Sequence, residues 1–259
     1  MALSVITIPC LSDNYAFILR CTDTGITAVV DAPEATPILA ELKKQQWGLN
    51  LILITHHHSD HIAGIDELRA VTGAKVIGAN LDKHRLPFLN TAVEEGDIIS
   101  VGNSNAEVIN TSGHTMGHIS FVFNNDHKVF SGDSLMALGC GRIFEGTPEI
   151  MWDTLKKFIA LPHNTLVYSG HEYTANNAKF ALNIDPTNKL LVERAQNIET
   201  LRIEGKSTIP SMLELEMATN PFLRSSTPSF KVLFGMNSSS DLEVFTKVRT
   251  LKDSFKNEI

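Results

Sequence analysis

Short apolar and β-branched runs recur through the first two thirds of the chain, at lengths that are typical of strands. Strands are predicted at 5–8, 17–21, 27–31, 51–54, 129–132 and 166–169. Helical periodicity lies between several of them, at 36–46, 62–72 and 148–161. Since strand pairs and strand–helix alternation both occur, the pattern predicts an α+β fold.

The pattern changes after residue 173, where helical periodicity dominates and strand-like runs become rare. Helices are predicted at 175–182, 189–204, 211–217 and 242–251. A serine-rich segment at 225–240, interrupted by Pro228 and Gly235, is predicted to be a loop. Two domains are therefore predicted, a mixed one at residues 1–173 and a smaller helical one at residues 174–259.

Composition and charge narrow the classes of function. The chain has 259 residues, of which 43% are hydrophobic, so it can bury a sizeable core. A net charge of -7 argues against a surface that binds nucleic-acid phosphates. The first residues lack the pattern of an export signal and no apolar run approaches about 18 residues, so we expect a cytoplasmic protein without a membrane segment. Cys10, Cys21 and Cys140 are too scattered for a disulfide framework or a thiolate metal cage.

The decisive stretch is LILITHHHSDH at 51–61, where an apolar strand runs into side chains that bind metals. In extended chain, His56 and His58 lie on one side, while His57 points away and is predicted not to be a ligand. Asp60 suits the N-cap of the following helix, which would place His61 in its first turn. The end of a strand and the start of a helix can thus present ligands to one place.

Three later segments also place a metal-binding residue at the end of a strand or in a turn. A GHTMGH turn contains His114, an SGD strand end contains Asp133, and an SGH strand end contains His171. Alone, each histidine is more often an ordinary one, and the first motif alone could be a solvated turn. Together they favour a metal site, and His118 could orient a ligand from behind.

The order THxHxDH, GHT, SGD and SGH resembles the metallo-β-lactamase superfamily. Four further motifs resemble glyoxalase II, the hydroxyacylglutathione hydrolase family: CGRIFEGT at 140–147, GHEYT at 170–174, NPFLR at 220–224 and RTLKDSF at 249–255. The resemblance spans nearly the whole chain. The sequence departs from the pattern at Ser59, Arg142 and Phe144, where relatives often have His, Lys and Tyr, and Phe144 lacks a hydroxyl that could contact substrate.

The resemblance implies an αββα sandwich followed by a smaller helical domain that binds substrate. It implies two divalent metal ions, with these ligands: His56, His58 and His114 on one ion, Asp60, His61 and His171 on the other, and Asp133 on both. Asp60 and Asp133 are also the residues implied in catalysis. The implied substrate contacts are Arg142, Phe144, Tyr173, Arg249 and Lys252, of which the last two share a face of a predicted helix.

The implied reaction is hydrolysis of S-(2-hydroxyacyl)glutathione, with S-lactoylglutathione as the expected substrate in methylglyoxal detoxification. Imidazoles and carboxylates suit Zn²⁺, but also iron or manganese. We expect a monomer whose partner is the small-molecule glutathione thioester, with neither nucleic acid nor membrane bound.

Two kinds of alternative stay open at this point. One is another reaction on the same fold, such as β-lactam or lactone hydrolysis, nuclease action or persulfide dioxygenation. The other is a non-catalytic metal-binding scaffold, although a scaffold has no need for the whole ligand set. The EGKST sequence at 204–208 resembles a phosphate loop only superficially, because the upstream glycine is missing.

Overall fold

The computed structural model of the protein describes residues 3–86 and 89–255. Its strands are β1 (Leu3–Cys10), β2 (Asn14–Cys21), β3 (Thr27–Val30), β4 (Leu51–Leu53), β5 (Lys75–Ala79), β6 (Thr91–Val93), β7 (Ile98–Val101), β8 (Ser104–Asn110), β9 (Ile119–Phe123), β10 (Lys128–Gly132), β11 (Leu135–Met136), β12 (Gly139–Cys140), β13 (Leu166–Ser169) and β14 (Ser211–Met212). Its α-helices are α1 (Ala35–Gln45), α2 (Ser59–Ile62), α3 (Ile65–Thr72), α4 (Pro148–Ile159), α5 (Thr174–Ile184), α6 (Lys189–Ile203), α7 (Leu213–Thr219), α8 (Pro228–Leu233) and α9 (Asp241–Ser254).

Two six-stranded sheets form the centre of the molecule. The first has the strand order β1-β2-β3-β4-β5-β6, antiparallel from β1 to β3 and parallel from β3 to β6. The second has the order β14-β13-β10-β9-β8-β7, in which only β10 and β13 are parallel neighbours. The short strands β11 and β12 form a separate hairpin that follows β10.

Alternation along β2 shows how the layers are built. Phe17 and Leu19 point into the core between the two sheets, whereas Ala16 and Ile18 point to the outer face, which α1 and α3 cover. Helix α4 and the helices near the end of the chain cover the outer face of the second sheet. The layers therefore follow the order αββα, and the predicted fold class is confirmed.

The helix predicted at 62–72 is two helices, α2 and α3, with a turn at Gly64. A side chain at Gly64 would come within 2.6 Å of the backbone nitrogen of Ala35, at the start of α1. Gly64 also donates its N–H to the carbonyl of Ala32. This contact with a distant segment sets the break, so helical periodicity alone could not locate it.

The helical part of the chain differs from the prediction at two places. Residues 211–217 contain β14, which pairs with β13 at the edge of the second sheet, before α7 begins. The segment at 225–240 contains α8, which begins with Pro228. Within the described ranges, no helix is both long and apolar enough to cross a lipid bilayer.

A buried ion pair joins the helical part to the β11–β12 hairpin. Glu216 on α7 is fully buried and accepts hydrogen bonds from the Arg194 guanidinium on α6 and from the backbone N–H of Leu138 at 2.8 Å. Asn220 Nδ2 donates to Glu216 and to the carbonyls of Met136 and Gly139. These bonds fix the hairpin that leads into residues 140–147.

Glu216→Ala is expected to lower the free energy of unfolding by about 3 to 5 kcal/mol, because the charge of Arg194 would stay buried without its partner. Glu214→Ala, at an exposed position of the same helix, should change it by no more than about 0.5 kcal/mol. Urea unfolding followed by circular dichroism measures both values. Equal losses in the two variants would contradict the importance of the pair.

Candidate metal centre

The predicted ligands follow the ends of strands β4, β10 and β13, and one lies between β8 and β9. Because β10 and β13 run parallel, Asp133 and His171, which follow them, lie at the same edge of the second sheet. From β4 in the first sheet, the chain continues through His56 and His58 into α2. Both sheets thus contribute residues to one rim of the sandwich.

Three histidines form the first group of facing side chains. His58 Nδ1 lies 3.1 Å from His56 Nε2 and 3.1 Å from His114 Nε2. Asp133 Oδ2 lies 3.4 Å from the same nitrogen of His114. These atoms surround a single point, as the ligands of one ion would.

Asp60, His61 and His171 form the second group. His61 Nε2 lies 3.3 Å from His171 Nε2, and Asp60 Oδ2 lies 3.4 Å from His171 Nε2. Asp133 borders this group too, with Oδ1 3.5 Å from His61 Nε2 and Oδ2 3.3 Å from His171 Nε2. Asp133 is therefore the residue that faces both groups.

The donor atoms fit two divalent cations. When two imidazole nitrogens face each other, only one proton fits between them. Three converging imidazole nitrogens therefore leave lone pairs directed at the point between them. Asp133 Oδ1 is buried and has no hydrogen-bond partner in the described part of the chain. Neutral imidazoles and carboxylates are the ligands that divalent transition metals take in proteins.

Asp31 fixes the ligand histidines that come from the first sheet, and the sequence analysis missed it. Its Oδ2 accepts from His61 Nδ1 at 2.8 Å and from the Thr55 hydroxyl at 2.8 Å. The Thr55 hydroxyl also lies 3.0 Å from His56 Nδ1. These contacts hold the rings with Nε2 directed at the cluster. The available signal was an aspartate at the end of a strand that pairs in parallel with β4.

Asp13 and Asn14, in the turn before β2 and at its start, were missed as well. His171 Nδ1 donates to Asp13 Oδ1 at 2.9 Å, and Asn14 Nδ2 donates to Asp60 Oδ2 at 3.0 Å. No motif marks these two residues, because they lie far from the ligands along the chain. On the other side of the cluster, His114 Nδ1 donates to a backbone carbonyl, that of Arg142, at 2.7 Å.

The protein's own charges already favour cations at this place. Burial, together with the charge of His114, lowers the pKa of His58 to about 4, so its ring is neutral at neutral pH. Burial also acts to lower the pKa of His171, but the carboxylates of Asp133 and Asp60 outweigh it and raise that pKa to about 10. Positive charge is therefore stabilised between the two aspartates.

The glycine of the SGH motif permits the close approach of strand ends. A side chain at Gly170 would come within 2.6 Å of Asp133 Oδ1 and of the His61 ring. Any larger residue would occupy the space between these two side chains. The close approach of Asp133 and His61 therefore requires glycine at the position before His171.

His57 and His118 lie beside the cluster without facing into it. His57 Nδ1 lies 3.0 Å from Asp82 Oδ2, on the side away from His56 and His58. His118 is buried, and its Nε2 accepts the backbone N–H of Asp133 at 3.1 Å. His118 therefore fixes the backbone of Asp133 by a hydrogen bond without facing the cluster itself.

The predicted N-cap role of Asp60 is wrong. The N-cap of α2 is His58, whose side chain makes no capping hydrogen bond, and Asp60 lies in the first turn. The side chain of Asp60 instead turns toward His171, and the hydrogen bond with that histidine holds the pKa of Asp60 well below its usual range. The helix is shorter and begins earlier than helical periodicity predicted.

A cavity of about 790 Å³ extends from the cluster to the helical part of the chain, and the predicted substrate residues Arg142, Phe144, Tyr173, Arg249 and Lys252 all line it. The Tyr173 ring stacks on His171 with centroids 4.6 Å apart. The Phe144 ring lies edge-on to His58 and His114, at 5.7 and 5.2 Å. Aromatic side chains thus border both groups of facing side chains.

The two cations on α9 differ in their surroundings. The Arg249 guanidinium donates to the carbonyl of Cys140 at 3.1 Å and to Asp253 Oδ1 at 2.7 Å, so its donors are largely engaged within the protein. The Lys252 ammonium lies 5.1 Å from the centre of the Phe180 ring. Burial and the neighbouring charge of Arg249 lower the pKa of Lys252 to about 8.

Comparison with known proteins decides the family. The family model described as Hydroxyacylglutathione hydrolase C-terminus matches residues 172–255, and the one described as Metallo-beta-lactamase superfamily matches residues 22–171. A protein from Cereibacter sphaeroides named Hydroxyacylglutathione hydrolase is 53% identical over 98% of this chain and 100% of its own length. The chain belongs to the hydroxyacylglutathione hydrolase family. A second member of this name, from Ruegeria pomeroyi, is 52% identical with the same coverage.

Solved structures show that this hydroxyacylglutathione hydrolase family chain shares its fold with more distant proteins. ETHE1 from Myxococcus xanthus matches with a TM-score of 0.67 at 23% identity, over 99% of this chain and 93% of its own. TTHA1623 in a di-iron-bound form matches with a TM-score of 0.62 at 22% identity, over 85% of this chain and 100% of its own. At these identities the likeness concerns the fold alone.

His58→Ala is expected to reduce bound metal by about one ion per chain, because it removes a nitrogen from the first group. His57→Ala should keep the wild-type content, since this ring turns to Asp82 instead. Elemental analysis of the purified variants measures the metal, and circular dichroism checks folding. An equal loss of metal in two well-folded variants would contradict the assignment.

Proposed function

We propose that this protein hydrolyses S-(2-hydroxyacyl)glutathione thioesters, with S-lactoylglutathione as the main substrate. The observation that carries the proposal is the continuity of the cavity, which joins the His/Asp cluster to Lys252 on α9. A glutathione thioester needs both ends of such a cavity. Its acyl carbon must reach the reactive cluster, while its carboxylates need cations some distance away.

The proposed metal ligands are those of the two facing groups: His56, His58 and His114 for one ion, Asp60, His61 and His171 for the other, and Asp133 for both. We propose zinc, with iron and manganese as the alternatives that the same ligands permit. Bound divalent ions lower the pKa of water to about 7 and polarise a carbonyl oxygen.

In the proposed mechanism, Asp60 orients the attacking water. Its ionised carboxylate would accept a hydrogen bond from that water. Asn14 Nδ2 donates to Asp60 Oδ2 at 3.0 Å and so fixes the orientation of the carboxylate. The leaving thiolate is a weak base and needs little help from a general acid.

The side chains proposed to contact the substrate would have distinct roles. Lys252 and the exposed side chain of Arg142 offer positive charge to the carboxylates of glutathione. Tyr173 and Phe144 offer aromatic surface next to the two ligand groups. Arg249 acts on the cavity indirectly, since its guanidinium holds the Cys140 carbonyl and Asp253.

We also propose that the chain has two domains, at residues 1–173 and 174–259, that the protein is a monomer, and that it is located in the cytoplasm. The second of these domains would contribute β14 to the sheet of the first.

Lys252→Ala should raise the KM for S-lactoylglutathione and leave kcat nearly unchanged, because the lost contact holds substrate and transition state alike. Because the lost contact is a charge-assisted hydrogen bond, kcat/KM should fall by about ten- to a hundredfold. Steady-state hydrolysis by the metal-loaded enzyme measures both constants. A short N-acetylcysteamine thioester serves as the control substrate, since it is too short to reach α9. Equal damage with both substrates would contradict the glutathione assignment.

The charge of Lys252 gives the same experiment a pH dependence. With a pKa of about 8, the ammonium is charged below that pH and loses its proton above it. The KM of the wild type should therefore rise as the pH passes through 8, whereas Lys252→Arg, which stays charged, should keep a flatter profile. Parallel profiles in the two proteins would show that another group is responsible.

A further inference from the structure

Three segments that are distant in sequence meet next to Phe144, which lines the cavity. Asp82, after β5, is fully buried and accepts hydrogen bonds from the Arg85 guanidinium through Nε, at 3.0 Å, and Nη2. The same guanidinium contacts Glu145, in the segment that carries Phe144. Its Nη1 also lies 3.2 Å from Nε2 of His57, the residue that stands in sequence between two proposed ligands.

We propose that Arg85 and Glu145 are positioning residues that hold Phe144 over the ligand histidines and thereby determine the affinity for the glutathionyl thioester. The proposal rests on the proposed function, and it assigns a role to an ion pair that contacts no proposed ligand. The Arg85–Glu145 pair, together with Asp82, is called the strut below.

The strut connects the two halves of the sandwich. Arg85 and Asp82 belong to the layer of the first sheet, whereas residue 145 follows the β11–β12 hairpin of the second half. Glu145 also accepts the backbone N–H of Met116 at 2.7 Å, in the turn that contains His114. Its carboxylate therefore joins both halves and the turn at a single point.

Phe144 is 59% exposed, so its position depends largely on its backbone anchors. On one side, Phe144 N–H donates to the His114 carbonyl at 3.2 Å, and Gly146 N–H donates to the Gly113 carbonyl at 3.1 Å. Glu145 lies between these two residues, and its carboxylate accepts from the Arg85 guanidinium in the first-sheet layer. This bond anchors the segment to the first-sheet layer, in addition to the contact between the Phe144 ring and His58, 5.7 Å apart.

The strut differs from an ordinary surface ion pair, which contributes little because both groups are solvated and mobile. The Arg85 guanidinium is fixed because two of its nitrogens donate to the buried Asp82 carboxylate, and the same planar group also donates to Glu145. The hydrogen bond from Arg85 lowers the pKa of Glu145 to about 2. The carboxylate is thus ionised and held in one orientation.

Glu145→Gln is the sharpest variant, because the amide keeps an acceptor for Met116 N–H and removes only the charge that faces Arg85. In the metal-loaded enzyme, we expect the Kd for S-hexylglutathione, a thioether without a hydrolysable bond, to rise about three- to tenfold. The KM for S-lactoylglutathione should rise by the same factor, with kcat and metal content unchanged. Calorimetry, steady-state kinetics and elemental analysis give these values.

Glu204→Gln is the matched control. It removes the charge of an exposed carboxylate that pairs with Lys206 just after α6, and it does not line the cavity. Its Kd should equal that of the wild type. A similar rise in this control would show a general effect of net charge and overturn the proposal.

A Phe144→Ala background separates positioning from long-range electrostatics. If the strut acts through the ring, Glu145→Gln should add no further loss once the ring is removed. A further loss of the full size would overturn the proposal, and so would an unchanged Kd in the single variant. Loss of metal in Glu145→Gln would also overturn it, since the strut would then support the ligands.

The proposed function and the strut fail in different ways. A wild-type protein that binds S-hexylglutathione but leaves S-lactoylglutathione intact would contradict the proposed reaction, while the Kd values would still test the strut. A wild-type protein that binds neither compound would overturn both proposals.

Discussion

Seven side chains with lone pairs or negative charge converge in the rim of this fold, and they satisfy one another only in part. Facing imidazole nitrogens lie 3.1 Å apart at His58, and Asp133 Oδ1 is buried with no hydrogen-bond partner in the described residues. Such an arrangement costs free energy unless cations lie between the ligands. The surrounding structure must therefore hold each side chain against repulsion, and much of it does so.

That support comes from both sheets and from separate parts of the chain. Asp31 holds His61 from the first sheet, Asp13 holds His171 from the turn before β2, and His118 holds the backbone of Asp133. The helical part adds the far wall of the cavity, and the buried Glu216 fixes the hairpin that leads into that wall. The His/Asp cluster and the cavity beside it thus depend on contacts from both sheets and from the helical part.

The sequence predicted those features of the site that follow from local spacing. His56 and His58 are two apart in extended chain, so their shared side and the exclusion of His57 could be deduced from the strand period. The ends of strands also located Asp133 and His171. The break at Gly64 could not be deduced, because it depends on the backbone of Ala35. In the same way, spacing placed Arg249 and Lys252 on one face of a helix, and both line the cavity, but it gave no sign that the Arg249 guanidinium would turn to Cys140.

The residues that form hydrogen bonds to the predicted ligands could not be predicted from local sequence patterns, for a related reason. Asp31 lies 30 positions from His61, and Arg85 lies 60 positions from Glu145, so only the assembled sheets bring each pair together. Short polar residues at strand ends occur in many proteins without such roles. A motif marks the ligands because metal chemistry restricts their spacing, whereas a supporting hydrogen bond can come from any segment that the fold brings near.

Anomalous X-ray diffraction from crystals of the zinc-loaded protein would examine the cluster most directly. If the seven residues hold two ions, the map should contain two peaks about 3.5 Å apart, with the Asp133 carboxylate between them. Occupancy should be similar at both positions. A single peak, or two peaks of which neither contacts Asp133, would contradict the two-metal site on which the proposed reaction depends.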